Sequence, residues 1–326
     1  MLPIHVLPAL ALALLCGWSG SEFVFAQAYP SKPIRLITPG APGAATDIRG
    51  RWLAEQLART LGQPIVVDNR FGAGGTIATG AAAKSAPDGY TLILVHQGTL
   101  IIAPYIYSSI AYDPAVDFAP VTRLSLNPLV LAVNHAVPAS SLAELLRLAR
   151  EKPGQLVYGS PGSGSPPHLA GELFKSMAGI SVTHVPYKGG GAAVTDLAGG
   201  RLTYTFDNLS VQLPFVKAGK TKAVAVTGTS RLAVLPAVPT IAESGVAGYD
   251  YLSWMGIAVP AKTPKAIVDR LHQEIAKILA TSEAREWLGA QGAEPGGDSP
   301  AEFAAYIKAE TAKLAPVIRK AGIKAD

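Results

Sequence analysis

The sequence IRLITPGAPGAATD, residues 34–47, changes from apolar residues to glycine and proline and then to a helical pattern. Its first five residues are mostly apolar and have the composition of a buried strand. Glycine and proline dominate residues 39–43, and Asp47 opens a segment with apolar residues at helical spacing. The stretch therefore predicts a strand, a glycine-rich turn and a helix start, in that order.

Strand and helix signals alternate along the rest of the chain. We predict strands at residues 34–38, 65–68, 91–95, 129–133, 156–159, 203–206, 223–227 and 254–259. Helix-capping signals occur at Ser141, Ser165, Thr263 and Ser299, each ahead of a segment with helical period. This alternation is typical of an α/β fold, and we expect mixed, mostly parallel sheets.

Glycine-rich loops follow two other predicted strands, at residues 72–76 and 160–165. Small residues let backbone N–H groups face a ligand, and the dipole of the following helix adds partial positive charge. In α/β sheets, ligand crevices lie beyond the carboxyl ends of strands, where these loops fall. Loops 39–47 and 160–165 are therefore candidates for holding a carboxylate or phosphate, although tight turns alone would also explain the glycines.

Composition excludes several classes of protein. The chain has 326 residues, of which 49% are hydrophobic and 16% charged, so it can bury a core and is not disordered. Its net charge of +5 is not clustered, and we expect no nucleic-acid partner. A single cysteine, Cys16, excludes an internal disulfide framework and a cysteine-based zinc site.

Motifs for catalysis, metal binding and cofactor binding are missing. GxGxxG fails in both later loops, no GxxxxGK[ST], GxSxG or HExxH occurs, and the histidines show no metal-ligand spacing. Ser165 and His168 could form a nucleophile and base, but Ser165 is more simply a helix cap. Asp47 is likewise a helix cap or a ligand contact. We expect neither an enzyme nor a cofactor.

The N-terminus has the pattern of an export signal. The apolar run from Val6 to Cys16 is shorter than the roughly 20 residues that span a bilayer. Ala26 and Ala28 are small residues at the positions that signal peptidase reads, which predicts a signal peptide at 1–28 and cleavage before Tyr29. Lipid attachment at Cys16 is the alternative, but Leu15 precedes it where a smaller residue is needed.

Several blocks of the sequence resemble one family. They are YPSKPIRLI at 29–37, LGQP at 61–64, GAGG at 72–75, PDGYTL at 87–92, YDP at 112–114, DFAPV at 117–121, HLAGELF at 168–174, HVPYKG at 184–189, LPAVPT at 235–240, ESG at 243–245 and AGIK at 321–324. In this order they resemble the Bug family, the extracytoplasmic substrate-binding proteins of tripartite tricarboxylate transporters. The resemblance covers residues 29–326.

The resemblance implies a two-lobed periplasmic-binding-protein fold of the Venus flytrap type, with the ligand in the cleft between lobes. By analogy one lobe comprises 29–126 and 228–326, and the other 127–227. The implied function is periplasmic capture of a small carboxylated compound for a transporter with one large and one small membrane subunit. We expect a monomer. A binding protein that signals to a membrane sensor, and an exported α/β hydrolase, are the alternatives.

Candidate ligand-binding residues come from the loops and from the family's carboxylate grip. They are Pro39, Gly40, Ala41, Gly43, Ala44, Thr46, Asp47, His96, Gln97, Ser160, Gly162, Ser163, Gly164, Ser165, His168 and Asp207. Family members usually carry an aromatic residue where this chain has Gly40, and glycine where it has Ala44. A missing aromatic wall predicts space for a bulkier ligand. Asp207 predicts repulsion of a second ligand carboxylate unless water or a cation lies between them.

Overall fold

A computed structural model describes residues 29–322 and residue 324. The proposed signal peptide, with Cys16, lies outside the described residues. Within the described part of the chain, strands β1 to β10 span Ile34–Thr38, Ile65–Asn69, Thr91–His96, Phe118–Asn134, Val157–Ser160, Thr183–Pro186, Tyr204–Asn208, Thr221–Val226, Leu252–Pro260 and Glu294–Pro295. Helices α1 to α10 span Ala45–Leu61, Thr76–Ala83, Ala103–Ile106, Leu142–Glu151, Pro166–Ala178, Gly190–Ala198, Leu209–Lys217, Lys265–Leu279, Ser282–Ala290 and Pro300–Ala321.

The strands form two groups joined by the long strand β4. In the first group β1 pairs in parallel with β2 and β3, and β3 pairs antiparallel with β9. In the second group β5 pairs in parallel with β6 and β7. The first part of β4 pairs antiparallel with β9, and Leu129–Asn134 pairs antiparallel with β7 and β8. The sheet order is β2-β1-β3-β9-β4-β7-β5-β6.

Most predicted strands are present, with ends that move by a residue or two. The predicted strand 129–133 is the exception, because it is only the second half of the 17-residue strand β4. Its first half, FAPVTRLSLNP, has no apolar run, and its pairing with β9 and β10 is set by tertiary structure. The predicted cap at Thr263 is wrong. Helix α8 begins after Pro264, and the Thr263 hydroxyl donates to the carbonyl of Pro260 instead.

The three predicted serine caps are present, whereas Asp47 is not a helix cap, because helix α1 begins at Ala45 and Asp47 lies within its first turn. The hydroxyls of Ser141, Ser165 and Ser299 each accept an N–H from the third residue of the helix they precede. Ser299 and Glu302 form a complete capping box at the start of the C-terminal helix. No helix in the described part of the chain combines the length and hydropathy needed to cross a membrane.

Candidate functional site

A cavity of about 380 Å³ lies at the carboxyl ends of strands from both groups. It is lined by Pro39, Gly40, Ala41, Ala44, Ala45, Thr46, Phe71, Gly72, Ala73, Gly74, Gly75, His96, Tyr107, Pro161, Gly162, Ser163, Ser165, Pro166, Pro167, Pro186, Tyr187, Lys188, Gly189, Gly190, Asp207, Asn208, Ser253 and Met255. The loops that follow β1, β2, β5, β6 and β7 all contribute. The cavity therefore lies where ligands bind in open α/β sheets.

Helix N-termini surround this cavity. Helices α1, α2, α5, α6 and α7 each place a first-turn or capping residue among its lining residues. The first N–H groups of a helix have no intrahelical acceptor, and the dipole adds partial positive charge there. Among the described lining residues, Lys188 is the only lysine or arginine. The cavity thus attracts anions mainly through backbone dipoles rather than through charged side chains.

Asp47 supports the first loop from behind instead of facing the cavity. Its carboxylate accepts the N–H of Gly43 at 2.8 Å, a side-chain N–H of Asn69 at 2.9 Å and a bond from Arg51 at 2.9 Å. Burial alone would raise the pKa of Asp47, but these donors hold that pKa below its usual value. Asp47 and Gly43 therefore shape the loop, and the N–H of Gly43 is already bonded.

The second loop uses most of its own N–H groups internally. The N–H of Gly162 donates to Ser160 Oγ at 3.2 Å, that of Gly164 to His168 Nδ1 at 3.1 Å, and that of Ser165 to the Gly162 carbonyl at 3.1 Å. Helix α5 then begins with Pro166 and Pro167, which have no N–H. Ser163 is the loop residue whose N–H takes part in none of these bonds, and it lines the cavity.

A stacked histidine pair holds this loop in place. The rings of His168 and His184 stack, and His184 Nε2 lies 2.7 Å from Ser160 Oγ. Because His168 Nδ1 accepts an N–H from Gly164, its neutral form carries the proton on Nε2. Ser160, Gly164 and His168 thus lie behind the cavity lining and act on loop shape. Ser165 with His168 is a helix cap, as sequence favoured.

His96 is the last residue of β3 and Gln97 follows it, but only His96 lines the cavity. His96 lines the cavity, and its Nδ1 accepts the N–H of Gly98 at 2.9 Å, which leaves Nε2 as the donor. Burial lowers the pKa of His96 to about 4, so the ring is neutral near pH 7. The amide of Gln97 donates to Leu252 and Glu310 and accepts from Tyr251, away from the cavity lining.

The space expected at Gly40 is occupied. A Cβ added at Gly40 would lie 2.0 Å from the hydroxyl oxygen of Thr46 and 3.0 Å from the Cβ of Ala44. The neighbouring helix start therefore fills the place of the aromatic side chain. The expectation of a widened wall at this position is wrong, because Thr46 packs where that side chain would begin.

Two buried ionisable side chains, Arg49 and Asp207, lie in or next to the cavity wall. Arg49 is 2% exposed, and one guanidinium nitrogen bonds Ser125 and Asn127 and contacts the sulfur of Met255. Among the described residues, its Nε and Nη2 have no hydrogen-bond partner. Burial lowers the pKa of Arg49 to about 10, which still leaves it cationic at pH 7. Asp207, at the end of β7, is equally buried and lines the cavity.

The structure brings together most of the residues that sequence proposed. Those that line the cavity are Pro39, Gly40, Ala41, Ala44, Thr46, His96, Gly162, Ser163, Ser165 and Asp207. Those outside the lining are Gly43, Asp47, Gln97, Ser160, Gly164 and His168. Sequence reasoning did not assign the lining loops 71–75 and 186–190, although both carry the same glycine-rich signal after a strand. It also missed Ser253 and Met255, for which strand residues offer no local signal.

A two-group α/β sheet with an anion-attracting cavity between its loops defines a solute-binding protein of the periplasmic type. Three comparisons with known proteins agree. The model of the tripartite tricarboxylate transporter family receptor matches residues 50–323. Protein BugT of Bordetella pertussis is 37% identical over 302 residues, covering 92% of this chain and 93% of that protein.

Solved structures show the same similarity. A Rhodopseudomonas palustris protein solved with adipate is 40% identical with a TM-score of 0.89, covering 91% of this chain and 99% of that one. MatC from the same organism, solved with bound malate, is 32% identical with a TM-score of 0.84, covering 89% of this chain and 100% of that one. The chain belongs to the tripartite tricarboxylate transporter receptor family. It is a solute-binding receptor and not an enzyme.

Proposed function

We propose that this protein captures a small organic carboxylate in the cavity and delivers it to a tripartite tricarboxylate-type membrane transporter. The observation that carries the ligand class is the convergence of helix N-termini on one cavity. Backbone dipoles fixed before the ligand arrives stabilise an anion without reorganisation. The adipate and malate of the two R. palustris structures are consistent with the same class of ligand.

The donors that remain free among the described lining residues support a carboxylate site between the two loops. The first-turn N–H groups of α1 at Ala45 and Thr46, the donor groups of Ser163 and the Nε2–H of His96 all belong to lining residues. The proposed grip therefore differs from the sequence-based set, in which Gly43, Asp47, Gln97, Ser160, Gly164 and His168 also contacted ligand. Gly43, Asp47, Ser160, Gly164 and His168 instead hold the loops in the geometry that the grip requires. Gln97 bonds Leu252, Glu310 and Tyr251 and holds neither loop.

The proposed lobes follow the pairing of β4. One lobe comprises 29–126 and 228–326 and the other comprises 127–227. This division is supported by the change of partners along β4, from β9 before Leu129 to β7 and β8 after it. The two loops that form the grip then belong to different lobes, so that closing the cleft would bring them onto the same ligand.

The proposed site of action is the periplasm, reached through a signal peptide at 1–28 that is cleaved before Tyr29. The proposed partners are the large and small membrane subunits of the transporter, which a monomeric receptor would dock in its closed form. N-terminal sequencing of the exported protein should begin at Tyr29, or at Gln27 if cleavage follows Ala26. A lipid-modified Cys16 in the mature protein would contradict this.

A thermal-shift screen of the mature protein tests the ligand class. Probes are mono-, di- and tricarboxylates, amino acids and aromatic acids, with the matching amides and alcohols as uncharged controls. A ligand at 100 times its dissociation constant should raise the free energy of unfolding by about 2.7 kcal/mol. Calorimetry then measures affinity. The proposal would be refuted if the uncharged controls stabilised the protein and none of the carboxylates did.

A further inference from the structure

The cavity wall at the end of β7 presents acceptors without donors. Asp207 is 2% exposed, and its Oδ1 accepts the N–H of Asn208 at 2.7 Å. Among the residues that the structure describes, no donor reaches Oδ2. The Oδ1 of the neighbouring Asn208 is also buried without a partner. Both residues line the cavity, so the vacant acceptors belong to side chains of the cavity wall, and each acceptor atom is itself buried.

Gly190 makes room for this arrangement. A Cβ added to Gly190, at the start of α6, would lie 2.0 Å from Asp207 Oδ2. The φ angle of Gly190 lies outside the left-handed region, so the backbone itself does not require glycine there. The next residue, Gly191, has no atom within 4 Å of its Cβ position. A side chain at residue 190 would therefore displace the Asp207 carboxylate, whereas a side chain at residue 191 would not.

A buried acceptor without a donor is unfavourable, and a buried carboxylate without a counter-charge is more so. Burial raises the pKa of Asp207 to about 7. Hydrogen bonds from Asn208 act to lower this pKa, but the effect of burial is larger. The other titratable groups among the described lining residues are His96, Tyr107, Tyr187 and Lys188. None of them is among the causes of the shift.

We propose that Asp207 and Asn208 form a second recognition point that selects carboxylates bearing a hydrogen-bond donor, with an ammonium group fitting best. This inference rests on the proposed function and names its substrate class. An ammonium donates to both oxygens and neutralises the carboxylate, a hydroxyl donates without neutralising it, and a methyl group leaves both acceptors unpaired. A second carboxylate meets like charge unless a proton is taken up.

The test compares linear C4 to C6 monocarboxylates that end in ammonium, hydroxyl, methyl or a second carboxylate. Calorimetry on the mature protein should show the ammonium compounds binding roughly tenfold or more tightly than the methyl compounds of equal length. Asp207→Asn should abolish that preference and improve binding of the dicarboxylates. Tighter binding of methyl-ended or dicarboxylate probes to the wild-type protein, or an unchanged preference in Asp207→Asn, would overturn the proposal.

Proton linkage gives an independent readout. Burial raises the pKa of Asp207 to about 7, so near this pH an ammonium probe should release protons and a dicarboxylate should take them up. Calorimetry in two buffers of different ionisation enthalpy measures the sign, and Asp207→Asn should remove it. Absence of proton release on binding of the ammonium probe would count against the proposal.

Gly190→Ala and Gly191→Ala form a matched pair of variants. Gly190→Ala should displace Oδ2 and reduce the preference for ammonium, whereas Gly191→Ala should keep it. Equal preferences in the two variants would overturn the assignment to Asp207. If no carboxylate binds, whatever its second group, the receptor function fails together with this proposal. If carboxylates bind without the ammonium preference, only the specificity fails.

Discussion

The rings of His168 and His184 lie nearly parallel, with centroids 3.9 Å apart and 13° between their planes. Burial lowers the pKa of His168 to about 4, although the charge of Glu172 acts to raise it. Burial and then His168 lower the pKa of His184 to about 3. Protonation would place two like charges in contact and would give His168 Nδ1 a proton where it accepts the N–H of Gly164. The second loop therefore requires neutral rings.

Stability should fall as the pH falls from about 6.5 to 4.5. In this window a histidine of the unfolded chain takes up a proton, while folded His96, His168 and His184 do not. The free energy of unfolding should drop by up to about 1.4 kcal/mol per pH unit for each such histidine. Urea unfolding followed by circular dichroism at several pH values measures this slope.

Asp207 opposes that trend and supplies the control. Its pKa is raised to about 7 in the folded protein, so the folded state takes up a proton on acidification before the unfolded state does. Asp207→Asn should therefore steepen the loss of stability between pH 6.5 and 4.5. A flat profile in the wild-type protein, or an unaltered slope in the variant, would contradict the buried neutral histidines or the raised pKa respectively.

Ser163→Ala should weaken carboxylate binding roughly tenfold, because one hydrogen bond to a charged group is lost. Calorimetry with a carboxylate identified by the thermal-shift screen measures the change, and Ser181→Ala, an exposed serine outside the cavity lining, is the control. Gly164→Val is a less informative test of the second loop, because the substitution impairs folding itself. Gly164 has φ of +77°, and its Cβ would lie 2.6 Å from Ile106 Cδ1, so folding suffers whether or not ligand is present. Equal affinity in the Ser163 and Ser181 variants would remove Ser163 from the grip.

Gly40→Ala should weaken ligand binding because the new Cβ meets the Thr46 hydroxyl at 2.0 Å. Thr46→Ala removes that oxygen, and the distances that remain, 3.0 Å to Ala44 Cβ and 3.4 Å to Thr46 Cβ, are tight but tolerable. The double variant should therefore bind better than the two single losses predict, with a coupling of about 1 kcal/mol. Additive losses in calorimetry would show that Gly40 serves the turn and not the fit against Thr46.

Gly98→Ala should impede closure of the cleft. A Cβ at Gly98 would lie 2.6 Å from the carbonyl oxygen of Gly164, which belongs to the second loop, and 2.6 Å from His96 Cε1. The loops of the two proposed lobes should separate, and overpacking of this kind typically costs about 1–3 kcal/mol. Affinity by calorimetry and radius of gyration by small-angle scattering measure the effect. Gly289→Ala, which meets no atom within 4 Å, should leave both at wild-type values.

Arg49→Met should leave stability unchanged or raise it, because a buried charge without an acidic partner is replaced by an apolar side chain of similar length. Carboxylate affinity should fall by roughly tenfold, because the change removes a buried positive charge that contacts the lining residue Met255. Arg49→Lys keeps the charge and should keep most of the affinity. A large loss of stability together with unchanged affinity would assign Arg49 a purely structural role.

Local signals account for much of this protein. Apolar runs, capping residues and glycine-rich turns located the loop after Thr38 and the strands that end at the cavity except β6, because strand, turn and helix starts depend on near neighbours in sequence. Family resemblance added the two-lobed architecture. The same signals misplaced the role of Asp47, since a sequence does not show whether a carboxylate faces the ligand or the loop behind it.

Tertiary structure decided which segments pair with β4 and which polar groups at the cavity remain free. The first half of β4 is a strand only because β9 and β10 lie beside it. Thr46 fills the place at Gly40, and His168 removes the N–H of Gly164 from the donors available to ligand. Asp207 becomes a candidate for specificity because Gly190, from another helix, leaves its Oδ2 buried and unpaired. Burial and hydrogen-bond partners arise from residues distant in sequence, and these determine which polar groups remain free to bind.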